Sequence, residues 1–400
     1  MKIYIIGIGM GSNESLSFKA LKAIENSNVL IGAKRMIENF SGNKINAYLS
    51  EDIKKALEGK DYETVSILVS GDTGFFSATK NILSVLSEHD IEVIPGISSI
   101  SYFSSKINIP WSDMKILSVH GRNTKYLGHV MRNEKTFLLT GGENKVENII
   151  NYLYKKGMKH LKIYVGENLS YENEKITIGN IEELLNKTFD SLSVMVIENN
   201  SPNSFHSIGI NDNDFLRGEV PITKSEVRCI ALSKLQLKEE DTIYDIGAGT
   251  GSVSIEAALT AFNGEVFAIE KNPLAVELLK KNREKFKAYN MEIIEGEAST
   301  LIESLPAPTK VFIGGSGKKL NTIIEMCLNK NPSVKIVITA ITLETLLDAT
   351  ECFKKFNIKN TEVVQAFISK AKKVGPYNMM MGQNPIFILT GEGDINVQHS

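Results

Sequence analysis

Short apolar runs closed by glycine alternate with amphipathic stretches along this chain from end to end. In the first half, aliphatic and β-branched runs predict strands at 2–6, 65–70, 91–94, 115–119, 135–140, 161–166 and 192–197. Between them apolar residues recur at helical spacing, as at Leu16, Ala20, Ala23 and Ile24 on one face. Short, fully apolar strands separated by helices predict largely parallel, buried sheets. The rhythm breaks at NNSPNSFHSIGINDND (199–214), which has no period and predicts a connector between domains. It restarts with a helix from about Lys224, then strands near 242–246, 265–269, 291–295, 310–313 and 334–339, each trailed by a helix. Two last strands, about 361–368 and 384–390, follow with no helix between them. The expectation is an α/β protein with a domain at 1–200, a linker at 201–217 and a doubly wound, Rossmann-like domain at 218–400. The two halves carry different glycine signatures, so neither is a repeat of the other.

Length agrees with this division, since 400 residues exceed what one hydrophobic core usually supports. Charge removes one class of partner. Lys and Arg total 45 against 47 for Asp and Glu, and this balance argues against a general nucleic-acid binder. The 3 cysteines are scattered and odd in number, as in a reducing, cytoplasmic setting, and the 6 histidines form no metal-ligand spacing. The chain opens directly into the strand MKIYIIG, without signal-peptide architecture, and no apolar run approaches the length of a membrane span. A cytoplasmic protein without metal, membrane or nucleic-acid partner is expected.

The strongest chemical signal is TIYDIGAGTGSVSIEAA (242–258), a strand that runs into Gly247, Ala248, Gly249, Thr250 and Gly251 before a helix opens. Glycines there allow a sharp turn and close approach of a ligand to the backbone. A dinucleotide fingerprint needs a third glycine where Ser252 stands, so nicotinamide binding loses ground. The pattern G-x-G-x-G after Asp245 suits a ligand without a pyrophosphate, namely S-adenosylmethionine. Glu270 ends the next strand and is placed to accept ribose hydroxyls, while Glu297, with Ala298 beside it, is placed to meet the adenine edge. Both glutamates precede helices, so helix capping stays open for each taken singly. After the fourth strand the chain reads Phe312-Ile313-Gly314-Gly315-Ser316-Gly317, a side-chain-poor wall that suits a broad, flat substrate better than a flipped base.

PITKSEVR (221–228), DIGAGTGSVSIEAA, FIGGSGKKL (312–320) and the closing strands resemble the decarboxylating precorrin-6B (carbon 15) methyltransferase family of cobalamin biosynthesis, over residues 218–391. The resemblance implies the class I methyltransferase fold and places Thr223 at the cofactor. Lys224 and Arg228, its charged neighbours one turn apart, are candidates to meet substrate carboxylates, with a solvated helix face equally open.

The first half carries GIGMGS (7–12), SGDTGFFS (70–77) and PGISS (95–99), three small-residue loops at carboxyl ends of strands. Their order resembles the tetrapyrrole methylase family, a two-lobed α/β fold. SVHGR (118–122), LLTGGENK (138–145) and VGENLSYENEKI (165–176) narrow this to its precorrin-7 (carbon 5) branch. The resemblance implies cofactor contacts at Gly9, Gly71, Asp72, Gly74, Ser98, Ser99 and Thr140. His120 and Arg122 are further candidates for substrate carboxylates, beside the plainer reading of a hydrogen-bonded structural histidine. Met10 and Thr73 stand where the family usually has proline, which loosens both loops without removing a donor or acceptor.

Together the resemblances imply a bifunctional enzyme with one S-adenosylmethionine site per domain. Its substrate is a tetrapyrrole (precorrin-6B or -7, or cobalt-precorrin), methylated at carbons 5 and 15 with loss of the ring C acetate carboxyl, and both families tend to form homo-oligomers. Methyl transfer from a sulfonium is an in-line displacement that needs alignment more than a strong base, so no catalytic triad is expected. A dehydrogenase is disfavoured by Ser12 and Ser252, and an RNA methyltransferase by the charge balance and Gly314-Gly315. A methyltransferase for another small molecule, or a module that binds S-adenosylmethionine without turnover, remains open.

Overall fold

The computed structural model describes residues 1–12, 15–121, 124–204 and 208–394. Backbone proximity divides the chain into two units, residues 1–124 with 133–201, and residues 125–132 with 202–400.

Unit 1 holds two five-stranded sheets. The first is built from β1 (Lys2–Gly7), β2 (Val29–Gly32), β3 (Asn43–Asn46), β4 (Thr64–Val69) and β5 (Asp90–Ile94) in the order β3-β2-β4-β1-β5, with every pairing parallel. Ile3, Ile5 and Ile6 on β1 and Val65 and Ile67 on β4 are fully buried, which explains their unbroken apolar character. The second sheet contains β6 (Lys115–Ser118), β7 (Lys135–Leu139), β8 (Lys162–Glu167), β9 (Lys175–Asn180) and β10 (Ser193–Glu198) in the order β6-β7-β10-β8-β9. Only β6 and β7 pair in parallel; β10 runs antiparallel to β7 and β8, and β8 to β9. The expected parallel arrangement therefore describes the first sheet and fails in the second, where no helix separates β8 from β9. Three strands escape a pattern search for local reasons. β2 has four residues, and β3 and β9 are edge strands whose polar residues mask the alternation.

Unit 2 is built on β11 (Thr242–Ile246), β12 (Glu265–Glu270), β13 (Met291–Glu295), β14 (Lys310–Ile313), β15 (Lys335–Ala340), β16 (Lys359–Ala366), β17 (Ser369–Val374), β18 (Tyr377–Gly382) and β19 (Ile386–Glu392). Seven of them form one sheet in the order β13-β12-β11-β14-β15-β19-β16, with β19 antiparallel to both neighbours. This is the class I methyltransferase topology. Register pairs Ala340 with Phe387 and Ile386 with Ala366, so the start of β19 lies at the carboxyl edge of the parallel strands. β17 and β18 form a separate hairpin between the last two sheet strands. The sequence KAKKV and YNMMMG has neither an apolar face nor a helical period, and all of its residues are exposed, so the pattern passes over it.

The stretch expected to link the domains is packed from Ile210 onward: Ile210 and Phe215 are buried with Val227, Leu232 and Phe286 in the core of unit 2. Two isolated apolar residues in a polar run leave no periodic trace. Among the described residues no helix is long and apolar enough to cross a membrane.

Candidate functional site

The carboxyl ends of β11, β12 and β14 converge because their turns bond to one another. Gly247 and Ala248 both donate to the Ile269 carbonyl, at 2.9 and 3.1 Å, and Gly314 and Gly315 to that of Ile246, at 3.0 and 3.2 Å. At Gly247 (φ +76°) an added Cβ would stand 2.8 Å from the Gly315 oxygen, so the two loops touch backbone to backbone and only glycine fits. The loop then turns into the helix Ser252–Thr260 through Gly251. Asn282, fully buried, ties the loop from behind by donating to the Thr250 carbonyl at 2.9 Å and to that of Leu216 at 2.8 Å.

Glu270 is the pivot of the site. One carboxylate oxygen accepts from the Gly249 amide at 2.8 Å; the other accepts from the Lys271 and Asn272 amides, at 2.8 and 2.9 Å. Charge-assisted bonds of this kind fix the carboxylate against the glycine loop before any ligand arrives. They also fulfil part of the capping alternative, although Asn272 is the residue that caps the next helix, through its own side chain. Glu297 pairs with the Lys271 ammonium at 3.5 Å. Behind the loop, burial pushes the Asp245 carboxyl up to about 7; one of its oxygens accepts from Ser254 and the other has no partner.

These elements enclose a cavity of about 700 Å³, within the usual range for a cofactor or drug-sized ligand. Thr223, Lys224, Gly247, Ala248, Gly249, Glu270, Glu297 and Ala298 all line it. Thr250 and Gly251 lie behind the wall rather than on it. Lys271, Asn272, Ile341, Gln383 and Asn384 also line it and were missed by sequence reasoning. Lys271 and Asn272 follow Glu270 directly and were within reach of the motif; Gln383 and Asn384 depend on the overlooked hairpin.

Arg228 corrects an expectation. It does not face a substrate: its side chain is fully buried and donates to Glu256 at 2.7 Å, to Asp212 at 3.2 Å, to the Thr223 carbonyl at 2.6 Å and to the Ile210 carbonyl. Glu256 in turn accepts from the Gly209 and Ile210 amides at 3.0 and 2.9 Å. The helix Ser225–Leu235 turns Arg228 inward and leaves Lys224, at its amino end, on the cavity.

In unit 1 a cavity of about 240 Å³ is lined from both sheets, by Met10, Ser70, Gly71, Phe76 and Ser99 on one side and His120, Thr140 and Ser193 on the other. Gly9 and Gly71 exchange backbone hydrogen bonds of 3.1 and 2.8 Å, which joins the first two loops. Asp72 accepts from the Gly74 amide at 2.8 Å and from the Gly96 amide at 3.1 Å, so it braces the second loop against the third. Ser98 caps the helix Ser99–Ile107 by accepting from the Ser101 amide at 3.3 Å. Gly9, Asp72, Gly74 and Ser98 thus shape the loops, while Gly71, Ser99, Thr140 and His120 line the space. His120 lies 3.1 Å from the Thr140 carbonyl oxygen through Nδ1, and Thr140 Oγ1 donates to the Ser193 carbonyl at 2.7 Å. Arg122 lies outside the described residues. Arg35 and Phe76 line this cavity as well; Arg35 follows the overlooked β2. Among the described residues no group of three or more His, Cys, Asp or Glu is arranged to hold a metal ion.

The sheet order and the glycine-loop cavity of unit 2 define a class I methyltransferase domain. The family model described as "Precorrin methyltransferase domain" matches residues 214–391, and that of "Tetrapyrrole (Corrin/Porphyrin) Methylases" matches residues 2–185. A Pyrobaculum aerophilum protein named "Probable cobalt-precorrin-6B C(15)-methyltransferase (decarboxylating)" is 39% identical over 186 residues, which are 46% of this chain and 94% of that protein. The Salmonella typhimurium cobalt-precorrin-6B C(15)-methyltransferase (decarboxylating) is 39% identical over 189 residues, 47% of this chain and 97% of that protein. A solved precorrin-6y C5,15-methyltransferase from Geobacter metallireducens is 40% identical and covers 47% of this chain and 97% of its own, with a TM-score of 0.45. The chain belongs to the precorrin methyltransferase family, with a tetrapyrrole methylase domain in its first half. It is an S-adenosylmethionine-dependent methyltransferase.

Proposed function

We propose that this chain methylates a precorrin or cobalt-precorrin at carbons 5 and 15 and removes the ring C acetate carboxyl, as a step in cobalamin biosynthesis. The observation that carries the reading is the presence of two unlike glycine-loop cavities, one in each unit, with the glycine loops of each within the span of its own precorrin- or tetrapyrrole-related family model. Unit 2 takes carbon 15 and the decarboxylation, and unit 1 takes carbon 5.

The residues of unit 2 suit an adenosyl cofactor. Glu270 presents a fixed carboxylate for ribose hydroxyls, Glu297 and Ala298 border the same cavity, and Gly249 leaves its wall open beside Pro221. In unit 1 the corresponding contacts fall on Gly71, Ser99 and Thr140, with Gly9, Asp72, Gly74 and Ser98 holding the loops in place. When bound, S-adenosylmethionine supplies an activated methyl group, so the work left to the chain is alignment and exclusion of water. The side chains of Ile222, Val227, Ile341 and Ile386 give the remainder of the larger cavity an apolar lining. A carboxylate set against that lining sheds part of its hydration, a setting that favours release of carbon dioxide.

Equilibrium dialysis with labelled S-adenosylmethionine tests the premise, with two bound per chain expected. Turnover of metal-free and cobalt-loaded precorrin-6B, followed by mass spectrometry, tests the chemistry. A bulky residue at Gly71 is expected to leave decarboxylation intact and to stop the reaction one methyl short. Loss of carbon dioxide release in that variant, with unit 2 still folded, removes the assignment.

A further inference from the structure

We infer that Lys224 and Gln383 form a carboxylate-binding subsite for the tetrapyrrole at the mouth of the unit 2 cavity; this rests on the precorrin reading above. The 700 Å³ cavity meets a second one of about 440 Å³, and Lys224 and Gln383 line both. The second cavity contains two acids, and each already has a cation. Glu226 is paired with Lys370 at 2.7 Å, which holds its carboxyl below the ordinary range, and Asp212 is paired with the buried Arg228 at 3.2 Å. Lys224 is half-buried, and among the described residues its ammonium has neither an ion-pair nor a hydrogen-bond partner. Arg217, on the same second cavity, donates among the described residues to the neutral Asn213 side chain, at 3.1 Å.

An ammonium that faces the cavity with no counter-charge is free to pair with an arriving anion. Gln383 stands at the base of the hairpin, held by its own amide donating to the Ile368 carbonyl at 2.8 Å. Its side-chain amide has no partner among the described residues and is available to donate to an anion. Ile341 and Ile386 contribute apolar surface to the wall of the same cavity. An apolar wall with an uncompensated cation and an amide donor at its rim, and Arg217 further out, matches a flat apolar ring that carries carboxylates at its edge.

The carboxylate held here is one that the product keeps. In decarboxylation the bond from the methylene carbon to the carboxyl carbon breaks, carbon dioxide leaves, and the electron pair stays on the macrocycle until the methylene takes a proton from water. A lysine bound to that carboxylate would stabilise the reactant and lose its partner as the bond breaks, which would slow the step. Lys224 therefore anchors a retained side chain and acts on substrate affinity.

The test uses the full chain with Lys224→Met, Gln383→Leu and Lys224→Arg. With precorrin-6B, Lys224→Met should raise KM for carbon dioxide release at least about tenfold, and Gln383→Leu about threefold. The ratio of carbon dioxide released to methyl transferred should stay unchanged, S-adenosylmethionine affinity of unit 2 should hold, and Lys224→Arg should restore most of the loss. In direct titration, uroporphyrin should bind the wild-type chain more tightly than its fully esterified form does, and the gap should shrink in Lys224→Met. An unchanged KM in Lys224→Met, with a wild type that turns over normally, overturns the subsite and leaves the precorrin reading standing. A changed ratio of carbon dioxide to methyl overturns the retained-carboxylate assignment. A wild-type chain that neither turns over precorrin-6B nor binds uroporphyrin removes the reading and the subsite together.

Discussion

The two units both rely on glycine loops at the carboxyl ends of strands, yet they assemble their sites differently. In unit 2 the loop after β11 is pressed against the loop after β14, and its Gly249 amide is anchored on the carboxylate of Glu270. In unit 1, Gly9 and Gly71 satisfy one another, and an added Cβ at Gly71 would meet nothing nearer than the end of Met10, at 3.5 Å. The unit 2 site is built at one edge of one sheet and braced by the Glu270 carboxylate. The unit 1 site is assembled from two sheets and braced by the Asp72 carboxylate. Its loops meet as closely: an added Cβ at Gly96 would stand against the Gly7 oxygen and 2.5 Å from that of Gly71. In both units glycine lets neighbouring loops meet backbone to backbone, and Gly71 is a position with room around its own Cα.

Four measurements sharpen or break this contrast. The largest effect is expected from Gly249→Arg, which fills the cavity wall beside the Pro221 carbonyl, 3.3 Å from where its Cβ would sit. Binding of S-adenosylmethionine in unit 2 should fall by more than about 100-fold and the dialysis stoichiometry should drop from two to one. Retention of both sites would show that the loop does not border the cofactor.

Asp245 gives unit 2 a pH dependence. Because burial raises this carboxyl to about 7 from its ordinary 3.8, its contribution to stability is complete below about pH 4 and is lost as pH rises through about 7. Relative to Asp245→Asn, the wild-type unit 2 transition should lose roughly 2–4 kcal/mol between those limits. Thermal melts of both chains from pH 4 to 8 measure it, and parallel profiles would contradict it.

Glu270→Ala removes three amide contacts and the carboxylate proposed for the ribose. Calorimetric titration should show cofactor affinity in unit 2 weaker by about 1–3 kcal/mol, with unit 1 unaffected. An equal loss in both units would point to general unfolding.

The smallest effect is expected at Gly71. There Ala meets free space but an unfavourable φ of +70°, and should cost about 1 kcal/mol. The same change at Gly247, against the Gly315 backbone, should cost about two to three times as much. Calorimetry of the two chains compares them, and equal losses would erase the distinction between a crowded and an open glycine position.

The strand-and-helix rhythm, the two glycine signatures and the acid at the end of β12 were legible in the sequence, because each is a property of neighbouring residues. Period 2 or 3.6 reports which side of a local element is buried, and a glycine loop followed by Glu270 about one βα unit later reports a ligand geometry set by a single crossover. Lys224 and Arg228 show where that information ends. Both are cations at the start of one helix, and nothing local separates them. Arg228 lies on the inward face, where Glu256 from the next helix and Asp212 from the preceding segment reach it. Likewise the antiparallel second sheet of unit 1, the burial of Ile210 and Phe215, and the arrival of Gln383 at the cavity depend on which elements pair. Pairing is decided by packing over the whole unit, since the partner that neutralises a charge or covers an apolar side chain lies far away in the chain. The sequence alone determined the elements and the chemistry at their ends; the tertiary structure decided which charges were spent inside the fold and which were left facing the cavity.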